Sequence, residues 1–173
     1  MTAVEFVTAI REITPDESKF TKMPEGFAQI YLDELFIGNK SIHTNVEPEN
    51  AIIDLMSNYD VSKLTIMIFS FNRSDELKET EQFTFFGWRE AFPLAINKET
   101  GEIVEIDWAD DKRVVSYVAK DQQTYLDLLF ALEKNNLSTL FSEKQKWDID
   151  QLVDIAGGYK YRPHLTDLLS YSV

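Results

Sequence analysis

Cysteine is absent from the 173 residues, which excludes disulfides and thiolate chemistry and agrees with a reducing compartment. Histidine is almost absent. His43 and His164 have no second ligand type at a useful spacing, so each reads as an ordinary surface or half-buried side chain. No glycine-rich phosphate loop opens a helix, because the pair Gly157-Gly158 follows a helical stretch instead of preceding one. A G-x-S-x-G nucleophile elbow is missing as well. No apolar run approaches the roughly 20 residues that span a bilayer. The opening MTAVEFVTAIREIT has no basic stretch and carries Glu5 inside its apolar pattern, unlike a secretory signal. The expectation is a cytoplasmic, catalytically inert protein with no metal, no cofactor and no membrane partner.

Positive charge is also scarce. Seventeen Lys and Arg face thirty Asp and Glu, for a net charge of −13. Such a surface repels phosphate backbones and disfavours nucleic acid as a partner. A basic protein partner is favoured, although acidity also serves plain solubility. What the chain has in quantity is apolar material, 44% hydrophobic and 13% aromatic, enough for the core of one domain spanning 1–173.

Val4, Phe6, Val7 and Ile10 predict a helix from about Thr2 to Glu12, stopped near Pro15, and the polar stretch from Pro15 to Pro24 reads as a loop. Phe27, Ile30, Tyr31 and Leu35 fit a helix ended by Gly38-Asn39; a strand, with a hairpin over 36–40, is the alternative. Pro48-Glu49-Asn50 opens a firmer helix with Ile52, Ile53, Leu55, Met56 and Tyr59 on one face. Leu64, Ile66, Ile68, Phe69 and Phe71 predict one strand, and Asn72 to Gln82 an exposed charged loop.

The densest pattern runs from Phe83 to Asn135. Phe92, Leu94 and Ile96 alternate as in a strand, and Lys98-Glu99-Thr100-Gly101 is a turn with Gly101 suited to positive φ. Ile103, Val104 and Ile106 follow, ending at Trp108. A turn at Asp110-Asp111-Lys112 leads to a strand through Val114, Val115, Tyr117 and Val118. Tyr125, Leu128, Leu129 and Leu132 then recur at helical spacing behind a cap at Asp121 or Thr124. Trp147-Asp148-Ile149-Asp150 opens a helix with Leu152, Val153 and Ile155 inward and Gly157-Gly158 as its stop. The tail from Tyr159 to Val173 holds Pro163 and a last helical turn through Leu165, Leu168 and Leu169. The sum is α+β, with a mainly antiparallel sheet of four to six strands and helices packed on one face.

Two groups merit weighing as sites. Gly87-Trp88-Arg89 combines a residue that permits a bulge with two side chains that anchor interfaces. The structural alternative buries Trp88 in the core and ties Arg89 to a neighbour such as Glu90. Asp107, Asp110 and Asp111 flank Trp108, yet their spacing is not that of a calcium loop, and hairpin turns call for aspartate anyway.

The strand before Lys98, the Gly101 hairpin, the short acidic turn, the further strand and the Leu-rich helix together resemble the C-terminal half of the SUKH superfamily. Phe86-Gly87 ahead of the hairpin adds to the likeness, which covers about a third of the chain. Met23-Pro24 through Gly38-Asn39 loosely matches that family's N-terminal helix, though no Asn-Gly pair closes it here. The family includes yeast-type cell-wall regulators and many bacterial immunity proteins. The resemblance implies a non-catalytic binding module, monomeric or weakly dimeric, whose partner is a cognate toxin domain, basic and nuclease-like. The implied surface carries Trp88, Arg89, Asp107, Trp108, Asp110 and Asp111, with the Asp75–Glu81 loop as the other place for it. A regulatory scaffold, a small-ligand domain and an enzyme built from Asp, Glu and Tyr side chains are the competing readings.

Overall fold

The computed structural model describes residues 1–141 and 147–170; the end of the predicted tail, 171–173, lies outside the described residues. In chain order the helices are α1 (Ala3–Ile13), α2 (Phe27–Glu34), α3 (Ala51–Asn58), α4 (Gln122–Phe141), α5 (Ile149–Ala156) and α6 (Arg162–Ser170). The strands are β1 (Gly38–Asn39), β2 (Tyr59–Asp60), β3 (Thr65–Ile66), β4 (Phe69–Phe71), β5 (Lys78–Glu79), β6 (Phe83–Arg89), β7 (Phe92–Asn97), β8 (Ile103–Asp107) and β9 (Asp110–Ala119). Strands β3-β4-β6-β7-β8-β9 form an antiparallel sheet in that order, and β5 pairs β6 to make a seventh strand among the described residues. β1 and β2 pair separately.

Local chemistry sets most helix ends. Thr2 and Glu5 form a reciprocal capping box on α1. Asp121 caps α4 through the Thr124 amide at 2.7 Å, and Asp148 caps α5 through the amides of Asp150 and Gln151. Gly157 ends α5 with φ +108°. α3 is capped from a distant element. Asn50 makes no side-chain cap there, and Gln122 of α4 accepts from the Ile52 amide at 3.0 Å instead.

The apolar faces of α1, α3, α4, α5 and α6 meet one face of the sheet. Phe6, Ile10, Ile52, Leu55, Tyr125, Leu129 and Leu165 pack there with Phe69, Phe86, Leu94 and Ile103. The Phe69 and Phe86 rings meet Tyr125 edge-on, at centroid distances of 6.2 and 5.5 Å. The opposite face carries a smaller cluster drawn from strand residues alone: Phe83, Phe85, Ala95, Val104, Ile106 and, at its rim, Val114.

Several sequence expectations are corrected. Among the described residues the sheet has seven strands, not four to six, because the extra strands are only two or three residues long. The single strand expected over 64–71 is a hairpin of β3 and β4, reversed at Met67 with φ +55° and no glycine to announce it. The expected loop over 72–82 contains a 3₁₀ turn (Ser74–Glu76) and β5. Another 3₁₀ turn, Glu17–Phe20, buries Phe20 inside the loop read over 15–24. Val4 is exposed, since the buried spacing on α1 is Ala3, Phe6, Val7 and Ile10. The turn read at 110–112 falls at Trp108-Ala109, between the paired ends Asp107 and Asp110. Helix is the outcome over 27–34, where the sequence left two readings open.

Two glycines make opposite demands. Gly101 has φ +76° and open space where a Cβ would go, so its cost on substitution is purely conformational. Gly87 sits at a β-bulge in β6, where a Cβ would lie 2.2 Å from the Ser70 carbonyl oxygen of β4. Gly101→Val is expected to cost roughly 1–2 kcal/mol. Gly87→Ala should cost more, at or above the top of the roughly 1–3 kcal/mol typical of overpacking. Urea unfolding of both variants checks the order. An alanine at 87 that is tolerated better than a valine at 101 overturns the close approach.

Candidate functional site

The bulge between Phe85 and Gly87 decides what the strand presents on each face. Phe85 pairs Ala95, Gly87 pairs Leu94 and Trp88 pairs Pro93. Trp88 therefore lies on the Phe85–Ala95 face, away from the helices, while Arg89 points into the helix side. Trp88 is 41% exposed and its indole N–H donates to Asn72 Oδ1 at 2.9 Å. Trp108, at the tip of the β8–β9 hairpin, is 76% exposed. Both indoles line one groove of about 420 Å³, whose walls also include Phe85, Pro93, Asp107, Asp111, Glu76 and Lys78. Asp107 braces the hairpin by accepting from the Ala109 amide at 2.9 Å, with Arg113 3.4 Å from its other oxygen. Lys78 reaches across from β5, its ammonium 3.6 Å from Asp111 and 5.3 Å from the centre of the Phe85 ring.

Of the six residues singled out from sequence, the structure gathers Trp88, Asp107, Trp108 and Asp111 here. Asp110 is exposed beside the groove without lining it, its carboxylate turned to the Lys112 amide. Arg89 is elsewhere. It is buried against Glu105 of β8 and bonds Asp167 of α6 at 3.1 Å, so it fastens α6 to the sheet and neither offers a surface anchor nor pairs with Glu90. The structural alternative that put Trp88 in the core also fails, because the bulge turns it outward. The Asp75–Glu81 loop, read as a separate candidate, supplies Glu76 and Lys78 to the same groove. Sequence reasoning missed Phe85, Pro93 and Asn72. The alternation of Phe83 and Phe85 was a signal for the first; nothing local marks the others.

Two further polar clusters lie inside the fold. Beside Arg89 and Glu105, His164 of α6 is buried with its Nδ1 3.5 Å from Glu105, which corrects its reading as a surface or half-buried residue. Burial, with the Glu105 charge nearby, pushes the Tyr125 hydroxyl well above its usual range. This cluster is sealed from solvent. At the second cluster, Tyr31 of α2 donates to buried Glu133 of α4 at 2.5 Å, and Asn136 donates to the Tyr31 oxygen at 3.1 Å. Burial pushes Glu133 up to about 7 against the pull of those hydrogen bonds, and the same burial raises Tyr31. The adjoining cavity is only about 100 Å³, well below the roughly 300–1,000 Å³ of ligand pockets.

A larger cleft of about 570 Å³ borders the groove at Asn72. Its charged groups are engaged locally: Lys40 with the Met56 carbonyl and Ser74, Arg73 with Asp75, Asp60 with Ser62. Among the described residues no group of three or more His, Cys, Asp or Glu is placed to hold a metal ion, and no helix is long and apolar enough to cross a membrane. No protein-family model, curated protein or solved structure matches the chain.

The Glu133 carboxyl links stability to pH. Its raised folded-state pKa means extra stability that is complete below the ordinary carboxyl value of 4.5 and is lost as pH rises through about 7. Glu133→Gln keeps an acceptor for Tyr31 and removes the charge. The variant's stability relative to the parent should therefore grow by on the order of 2–3 kcal/mol from pH 5 to pH 8. Urea unfolding at the two pH values reads this. An unchanged difference means that Glu133 titrates normally.

Proposed function

We propose that the chain is a non-catalytic protein-binding module, an immunity-type protein that neutralises a basic toxin domain by occupying its cationic surface. The observation that carries this reading is the joining of two exposed indoles with Asp107, Asp111 and Glu76 in one groove, on the sheet face opposite the helices. Contiguous exposed aromatic surface marks interaction sites, and indoles gathered in one groove supply the desolvated contact on which interface affinity concentrates. Surrounding carboxylates, on a chain of net charge −13, draw a cation-rich partner and raise its rate of encounter. Nothing in this action requires a nucleophile, a base or a metal. The resemblance to the SUKH superfamily supports the specific role of toxin neutralisation, and a regulatory scaffold of the cell-wall-regulator kind would use the same surface.

The reading predicts that a toxin domain is encoded beside this gene. Cells that express that domain should survive when this chain is co-produced. Trp88→Ala combined with Trp108→Ala should abolish protection while far-ultraviolet dichroism stays unchanged. Asp107→Asn with Asp111→Asn should slow association several-fold at low salt. The effect should fade near 1 M salt, where the screening length falls to about 3 Å. Full protection by the double tryptophan variant overturns the groove as the docking surface. A neighbourhood without any toxin domain, together with binding to an endogenous basic protein, moves the reading to the regulatory scaffold.

A further inference from the structure

Resting on that reading, we propose that the groove is a receptor for an arginine side chain of the partner, and that Lys78 is a resident cation which the incoming guanidinium displaces. Lys78 is the Cα partner of Phe85, so both project from the same face of the β5–β6 pair. Its ammonium lies over the Phe85 ring and beside Asp111, which is the arrangement an aromatic-and-carboxylate site imposes on any cation. The Lys78–Asp111 pair is largely open to water, so little holds it against a competitor. β5 contributes just two register pairs to β6, and both of its residues, Lys78 and Glu79, are exposed.

The groove suits a guanidinium better than a second ammonium. Phe85, Trp88 and Trp108 present π surfaces on which a flat, weakly hydrated cation stacks. Asp111 offers its carboxylate to the incoming guanidinium once Lys78 leaves, and Asp107, already accepting from the Ala109 amide and Arg113, adds negative charge in the same groove. The Trp88 N–H is already committed to Asn72, which leaves its ring to act as a stacking surface. Charge complementarity with an arginine-bearing partner follows from the acidic balance of the chain as a whole.

Solution NMR of the full chain, following the three indole N–H signals, tests this with N-acetyl-arginine amide as the probe. Trp147, packed against the helix-side core, is the internal reference. The Trp88 and Trp108 signals should shift saturably while Trp147 stays fixed. The neutral isostere N-acetyl-citrulline amide should leave all three in place, and N-acetyl-lysine amide should bind several-fold more weakly. Lys78→Gln should tighten arginine binding several-fold. Lys22→Gln, an equal change of charge at an exposed site between α1 and α2, should not. Equal shifts with citrulline, or equal tightening by both lysine variants, overturn the cation receptor, and lysine binding as tight as arginine overturns the guanidinium preference. If neither indole responds to arginine while the double tryptophan variant still loses protection, the docking surface stands and the arginine receptor falls. Arginine binding alongside full protection by that variant sinks the docking reading instead.

Discussion

The close approach of β4 to β6 at Gly87 is the constraint on which the rest of the site depends. The Ser70 carbonyl occupies the space a side chain would need, so only glycine lets these strands pair at this register. The same residue ends the bulge that shifts the alternation of β6 by one. Strict alternation from Phe85 would send Trp88 toward the helices and Arg89 away from them. With the bulge, Phe86 and Arg89 face the helices and Phe85 and Trp88 share the other face. One inserted residue thus separates a structural cation from an exposed aromatic.

Each face then has its own logic. On the helix side, Arg89 is matched by Glu105 and Asp167, which ties the last helix to two central strands. A buried charge is tolerated there because its partners are equally buried or close at hand; removing one partner would leave an uncompensated ion. On the other side the apolar surface is small and built by strands alone, and its edge is finished by a hairpin tip and the short strand β5. Because β8 and β9 meet in a two-residue turn, Trp108 stands at the tip with no neighbouring element to bury it. The groove is a consequence of leaving that face without helices.

The two buried groups on which an enzymatic reading would draw are engaged inside the fold. Glu133 has the raised pKa expected of a catalytic acid, but its hydroxyl and amide neighbours pin α2 to α4, and the space beside it admits a few waters at most. His164 is near a carboxylate, yet both are sealed beneath α6. Perturbed groups in this fold hold elements together. The exposed aromatic and acidic groups of the groove are the ones to which the proposal assigns partner binding.

What the amino-acid sequence alone determined is the part governed by short-range physics. Helical and strand periods, the helix openings near Thr2 and Asp148, the Asp121 cap, the Gly101 turn and the Gly157 stop depend on residues within a few positions of one another, and these features were legible. The fold class and the bulge-forming capacity of Gly87 followed from the same patterns. Tertiary structure alone decided which way Trp88 and Arg89 turn, that Met67 reverses the chain, and that Lys78 sits against Asp111 and Phe85. Those outcomes rest on strand register and on contacts between distant segments. A one-residue shift in register exchanges the two faces of a strand without changing any local preference. Periodicity therefore identifies the strands, and only their pairing identifies the surface.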